Sequence, residues 1–102
     1  MSIADVTVVR IYVNEREAGL DRLVARLKDE EGVRGLTVFR GISGFGDSGE
    51  LHGSRLVDLL GDLPLVVEFF DTPARAATIM DHLKTWLKPG HMLSWPARLE
   101  LD

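Results

Sequence analysis

Apolar residues alternate with a period of two in four stretches of the chain and recur at helical spacing in two others. Val6–Val13 reads as a first strand, with Val9, Ile11 and Val13 on one face and Val6, Val8 and Tyr12 on the other. Both faces are largely apolar, and Arg10 is the exception. Leu20, Leu23, Val24 and Leu27 then mark one side of a helix, while Asp21, Arg22, Arg26, Lys28, Asp29 and Glu30 form a solvated side. Gly32 is placed to stop that helix in a left-handed conformation. Gly35–Ile42 is the second strand and Pro64–Phe70 the third. In the third, Leu65, Val67 and Phe69 oppose Val66, Glu68 and Phe70. Asp71 or Thr72 caps the next helix, with Pro73 in its first turn. Its stripe is Ala76, Ile79, Met80, Leu83 and Leu87, and Lys88-Pro89-Gly90 ends it. His91–Leu101 is the last strand. Pro96 within it cannot donate to a ladder, which predicts an edge strand or a bulge.

The order β-α-β-β-α-β predicts an α+β, ferredoxin-like sandwich: a four-stranded antiparallel sheet with two helices on one face. The second apolar face of the strands needs a cover. In so short a chain, the expected cover is another copy of the same subunit. The 102 residues suit a single domain spanning 1–102, and 45 % hydrophobic content supports a real core. No apolar run approaches the roughly 20 residues that span a bilayer, so no membrane insertion is expected. MSIADVTVVR has no signal-peptide pattern, and the chain has no cysteine. Disulfides, thiolate metal ligands and a Cys nucleophile are thereby excluded, and a cytoplasmic location is expected. A net charge of −4 without a basic block argues against nucleic acid as a partner.

Candidate chemistry concentrates in Gly35–Gly46, GLTVFRGISGFG. Glycines directly after a strand either expose backbone N–H groups to an anion or build a bend or bulge. The long connection Ser43–Leu63 follows, and its Ser54–Leu60 stretch reads equally as short helical turns or an extended arm. The cation candidates for an anion site are Arg40, Arg55, Lys88 and Arg98. Arg40 reads as a site cation, an outward strand residue or an intersubunit ion pair. Lys88 reads as a phosphate ligand or a helix C-terminal charge. Phe45 can stack on a base or pack into a neighbouring subunit. Glu68 needs a cationic partner, which Arg10 or Arg40 can supply across the sheet. His52, His82 and His91 lack paired spacing, so no metal site is expected. His82 is expected to be simply exposed, and His91 to lie near the cleft. No Gly-x-Ser-x-Gly, Walker A sequence or convincing acid pair is present, so no enzyme and no catalytic residue is expected.

Gly35-Leu36-Thr37-Val38 followed by Gly44-Phe45-Gly46 resembles the second strand and turn of PII signalling proteins. TVFRGISGFG, then GELHGSRLVDLLGDLPLVVEFFD and a helix, resembles more closely the bacterial PII-like family called domain of unknown function 190. The likeness covers nearly all of residues 6–101. The resemblance implies a homotrimer with effectors, commonly adenine nucleotides, in clefts between subunits. It also implies a long arm, the T-loop, that touches a target protein such as a membrane transporter. By position, Gly44, Phe45 and Gly46 line the base of the cleft and Thr37 lies near the adenine. Asp47–Asp62 is the T-loop, carrying Arg55, and Lys88, Pro89 and Gly90 form the phosphate-holding B-loop.

The chain departs from PII proteins in one extra residue between the two glycine elements and in a shorter B-loop. It also lacks the later C-terminal arginines and a T-loop tyrosine: Tyr12, in the first strand, is the one tyrosine. These departures point to a ligand smaller and less charged than a triphosphate, or to no nucleotide. The expectation is a PII-like regulator with no certain cofactor and an adenine nucleotide as its candidate effector. The site set is Thr37, Arg40, Gly44, Phe45, Gly46, Arg55, Lys88 and Gly90. The alternative is a trimeric docking protein without a small-molecule switch.

Overall fold

In the computed structural model, the described residues are 2–14, 19–42 and 64–102. They form β1 (Ile3–Asn14), α1 (Leu20–Ala25) continued by π-helical turns over Arg26–Glu30, β2 (Leu36–Arg40), β3 (Pro64–Asp71), α2 (Pro73–Leu83) and β4 (Met92–Glu100). The strands pair antiparallel in the order β2-β3-β1-β4. This is the expected βαββαβ plan, with β1 and β3 central and β2 and β4 at the edges. Pro96 accordingly sits on an edge strand, opposite Thr7. β1 starts three residues before Val6 because β4 continues far enough to pair Glu100 with Ile3.

Alternation divides the central strands into two faces. Val9 lies opposite Phe69, Ile11 opposite Val67 and Val13 opposite Leu65. The helices cover this side. Val9, Ile11, Val67 and Phe69 pack with Leu23, Leu27, Ala76, Ile79 and Leu83, and none of these is more than 2 % exposed. Burial of a large apolar side chain contributes about 1.5–3 kcal/mol, so this layer dominates the stability of the fold.

The helix ends differ in part from the sequence expectation. α1 widens at its C-terminus, where the Glu31 N–H donates to the Arg26 carbonyl at 2.9 Å. Gly32 follows with φ +71°, the left-handed stop that the pattern predicts. α2 is capped by Thr72, whose hydroxyl accepts the Arg75 N–H at 3.3 Å, and Pro73 opens it. It ends at Leu83, short of Leu87. The Thr85 hydroxyl donates to the His82 carbonyl at 2.8 Å, and the chain tightens into a turn. Leu87 still packs against the core from beyond the helix, which is why the apolar stripe overran it.

Polar groups tie the helices together. Arg75 Nη2 donates to the carbonyls of Glu31 at 2.7 Å and Gly32 at 3.4 Å. The Glu31 carboxylate meets His82 Nδ1 at 2.9 Å and Arg26 Nη2 at 3.5 Å. Among the described residues, no helix is long and apolar enough to cross a membrane.

Candidate functional site

The connection after β2 leaves and returns at one pinched point. The Gly41 N–H donates to the Pro64 carbonyl at 2.7 Å. A Cβ on Gly41 would lie 2.7 Å from Pro64 Cγ. Gly41 is absent from the positive-φ glycines, which among the described residues are Gly19, Gly32 and Gly90. Close approach, rather than a left-handed backbone, therefore demands glycine here. Gly44, Phe45, Gly46, Arg55, His52 and the arm Asp47–Asp62 lie outside the described residues.

A second turn sits at the start of β4. The Lys88 carbonyl accepts the His91 N–H at 3.3 Å, with Pro89 and then Gly90 at φ +84° between them. This is a type II turn, in which only a residue comfortable at positive φ suits the third position. The Tyr12 N–H donates to the His91 carbonyl at 2.8 Å, and His91 Nδ1 lies 3.2 Å from the Tyr12 carbonyl oxygen. These contacts fix the turn to the end of β1.

The strand register places both features at the same end of the sheet but on opposite edges. Asn14 of β1 pairs with Pro64 of β3, and Arg40 of β2 pairs with Leu65. Three strand spacings of about 4.8 Å separate β2 from β4, roughly 14 Å. One chain therefore keeps the β2 edge, which carries Thr37 and Arg40, apart from the β4 edge, into which the turn with Lys88 and Gly90 leads. Thr37 and Arg40 also point to opposite faces: Thr37 pairs with Glu68 on the open side, and Arg40 with Leu65 on the helix side. Two surface grooves lie elsewhere. One is lined by Arg22, Ala25, Arg26, Asp29, Glu30 and Trp86, the other runs between α2 and β4, and neither includes Thr37, Arg40, Lys88 or Gly90.

The open face of the sheet carries an ion pair among apolar residues. Arg10 Nε and Nη2 both donate to Glu68 Oε1, at 3.0 and 2.7 Å. The same guanidinium lies 5.2 Å from the Trp95 ring centroid, a cation–π distance. Hydrogen bonding to Glu68 first, and then to Tyr12, holds the Arg10 guanidinium above its ordinary pKa. Arg10 is therefore the partner of Glu68; Arg40 is excluded because its register puts it on the other face. Tyr12, Phe39, Phe70, Leu93 and Trp95 surround the pair or flank it, each 36–48 % exposed.

The sequence reading missed the Glu31–His82 and Arg75–Glu31 contacts. His82 is exposed, as expected, yet it is also bonded to Glu31. These partners lie 51 and 44 residues apart, and no local pattern links them. Among the described residues, no group of three His, Cys, Asp or Glu side chains is placed to hold a metal ion.

The DUF190 family model, described as "Uncharacterized ACR", matches residues 6–99. The chain belongs to the DUF190 family. A UPF0166 protein of Aquifex aeolicus (strain VF5) is 32 % identical over 89 residues, covering 82 % of this chain and 84 % of that one. Among solved structures, this DUF190 chain resembles CPII of Thiomonas intermedia K12 bound to ADP and bicarbonate. The TM-score is 0.67 at 14 % identity, over 96 % of this chain and 89 % of CPII. It also resembles a PII-like signaling protein of Thermus thermophilus, with a TM-score of 0.67 at 22 % identity, over 97 % and 91 % of the two chains. The fold of this DUF190 chain is thus PII-like.

Proposed function

We propose that this DUF190 chain is a non-catalytic regulatory protein of the cytoplasm: residues 1–102 form one PII-like domain that assembles as a homotrimer. A small effector, an adenine nucleotide with few phosphates, binds in clefts between subunits. Thr37, Arg40, Gly44, Phe45, Gly46 and Arg55 come from one subunit, and Lys88 and Gly90 from its neighbour. The arm Asp47–Asp62 then reports occupancy to a target protein such as a membrane transporter.

The observation that carries this reading is the division of the candidate residues between opposite edges of the sheet, β2 and β4. A second copy that sets its β4 edge beside the first copy's β2 edge closes the gap of roughly 14 Å left by three strand spacings. The open face supports the same assembly. Its five large apolar side chains expose on the order of 400 Å² together, within the size range of the largest apolar patches on monomers, which are often functional. The ADP bound by CPII supports an adenine nucleotide as the ligand class. An effector transmits a signal only by preferring one arm state over another, so nucleotide and target must each change the other's affinity.

Isothermal titration with ATP, ADP, AMP and cyclic AMP tests the reading. Saturable heat is expected with at least one of them. Lys88→Ala is expected to weaken that binding about tenfold, the effect of losing one charge-assisted contact. No heat with any of the four removes the nucleotide reading.

A further inference from the structure

The Arg10–Glu68 pair is only half satisfied. Both of its hydrogen bonds land on Glu68 Oε1. Among the described residues, Oε2 accepts none and Arg10 Nη1 has no carboxylate partner. In the isolated subunit, water can serve both atoms, because the Arg10 and Glu68 side chains are 36 % and 27 % exposed. An apolar wall laid over this face would strip that water and leave a carboxylate oxygen without a donor. Arg10 also has the Tyr12 side chain as an acceptor, so what a cover must bring is a donor to Glu68 Oε2. Another copy of this chain carries such a donor in its own Arg10, on which Trp95 stacks.

We infer that Arg10 and Glu68 act between subunits as a register lock, with Arg10 of one copy donating through Nη1 to Oε2 of Glu68 in the next. This rests on the proposal that copies of the chain cover the open face. Apolar contact alone is non-directional and tolerates sliding or an unrelated partner. The lock supplies what apolar contact lacks: a slipped or foreign surface leaves two charges buried and unmatched.

A charge exchange separates this from a pair that works only inside one subunit. The double variant Arg10→Glu/Glu68→Arg keeps an opposite-charge pair within each chain. Next to a wild-type copy, however, it sets like charge against like. Differently tagged wild type and double variant are co-expressed and their assemblies weighed by native mass spectrometry. The lock predicts that each assembles with itself and that mixed species fall about tenfold below random pairing, as like-charge juxtaposition across an interface demands. Arg10→Met/Glu68→Leu provides a second variant with no charge to misplace. It too is expected to sort away from wild type, because a mixed seam strands one wild-type charge. Random mixing of either variant with wild type overturns the lock while leaving the trimer standing. A wild-type chain that remains monomeric overturns the lock together with the assembly beneath it.

Discussion

Phe69 and Phe70 are the same residue type, adjacent on one strand, and they have opposite fates. Phe69 is 2 % exposed beneath the helices, whereas Phe70 is 48 % exposed on the open face. The same division runs through β1, where Val9 and Ile11 are sealed and Val8 and Tyr12 are not. Both faces are apolar enough to form a core, but the chain's own helices cover just one of them. The closed face is finished by local sequence: two amphipathic helices of the right length, each fixed by a cap or a glycine stop. The open face bears an ion pair amid aromatic side chains, a composition nearer to that of an interface than to a solvated surface.

Substituting the two phenylalanines separately gives the largest contrast. Phe69→Ala is expected to cost about 3–5 kcal/mol, because the buried ring leaves a cavity between sheet and helices. Phe70→Ala is expected to cost about 1 kcal/mol or less in the isolated subunit, as a half-exposed residue should. Its main effect would be on assembly. Chemical denaturation at high dilution measures the first quantity, and light scattering across a concentration series the second. Equal destabilisation by the two would mean that the faces are not distinct.

The division between faces depends on register, since a slip of one residue exchanges every side chain of a strand. Gly41 guards the register of β2 against β3 at the point where the arm departs. Gly41→Ala puts a methyl 2.7 Å from Pro64 Cγ and 3.3 Å from the Pro64 carbonyl oxygen. Neither a proline ring nor a backbone oxygen yields easily, so a loss of about 1–3 kcal/mol is expected. Adding Pro64→Ala removes the ring atom and should restore part of that loss. Thermal melts of the single and double variants check this, and a strictly additive pair would contradict the close-approach account.

Much of the fold was legible because its periodicities are strong. The alternation Leu65-Val66-Val67-Glu68-Phe69-Phe70 gave both faces of β3, and Gly32, Thr72 and Pro73 marked helix boundaries where the backbone indeed turns. Leu87 misled because apolar spacing reports burial rather than hydrogen bonding, and burial continues past the helix end. The choice between Arg10 and Arg40 as the partner of Glu68 could not be read from one strand alone. It depends on how three strands align, which is a long-range property. Of the candidate site, the edge positions of Thr37, Arg40, Lys88 and Gly90 are visible in the fold, while the glycine pair Gly44 and Gly46, Phe45 and Arg55 fall outside the described residues. Sequence position also hid the division of these residues between opposite edges, because strand order does not follow chain order.

The smallest expected effect concerns the polar ties that hold the helices over the closed face. The Glu31 side chain is only 7 % exposed and receives His82 and Arg26, so its loss unpairs two groups at once. His82 is half-exposed, and Arg26, whose Nε is buried without a partner, still keeps Glu30 at 3.1 Å, which softens the penalty. Arg75 still binds the Glu31 and Gly32 carbonyls through the backbone, so the helices remain docked. Glu31→Ala should therefore cost about 1 kcal/mol. Hydrogen exchange should quicken at the C-terminal turns of α1 and in the last turn of α2, leaving β1 and β3 protected. A loss as large as that of Phe69→Ala would reverse the comparison between the faces. The closed face would then be held shut by its charged clasp, and the apolar layer beneath would be filling space rather than driving closure.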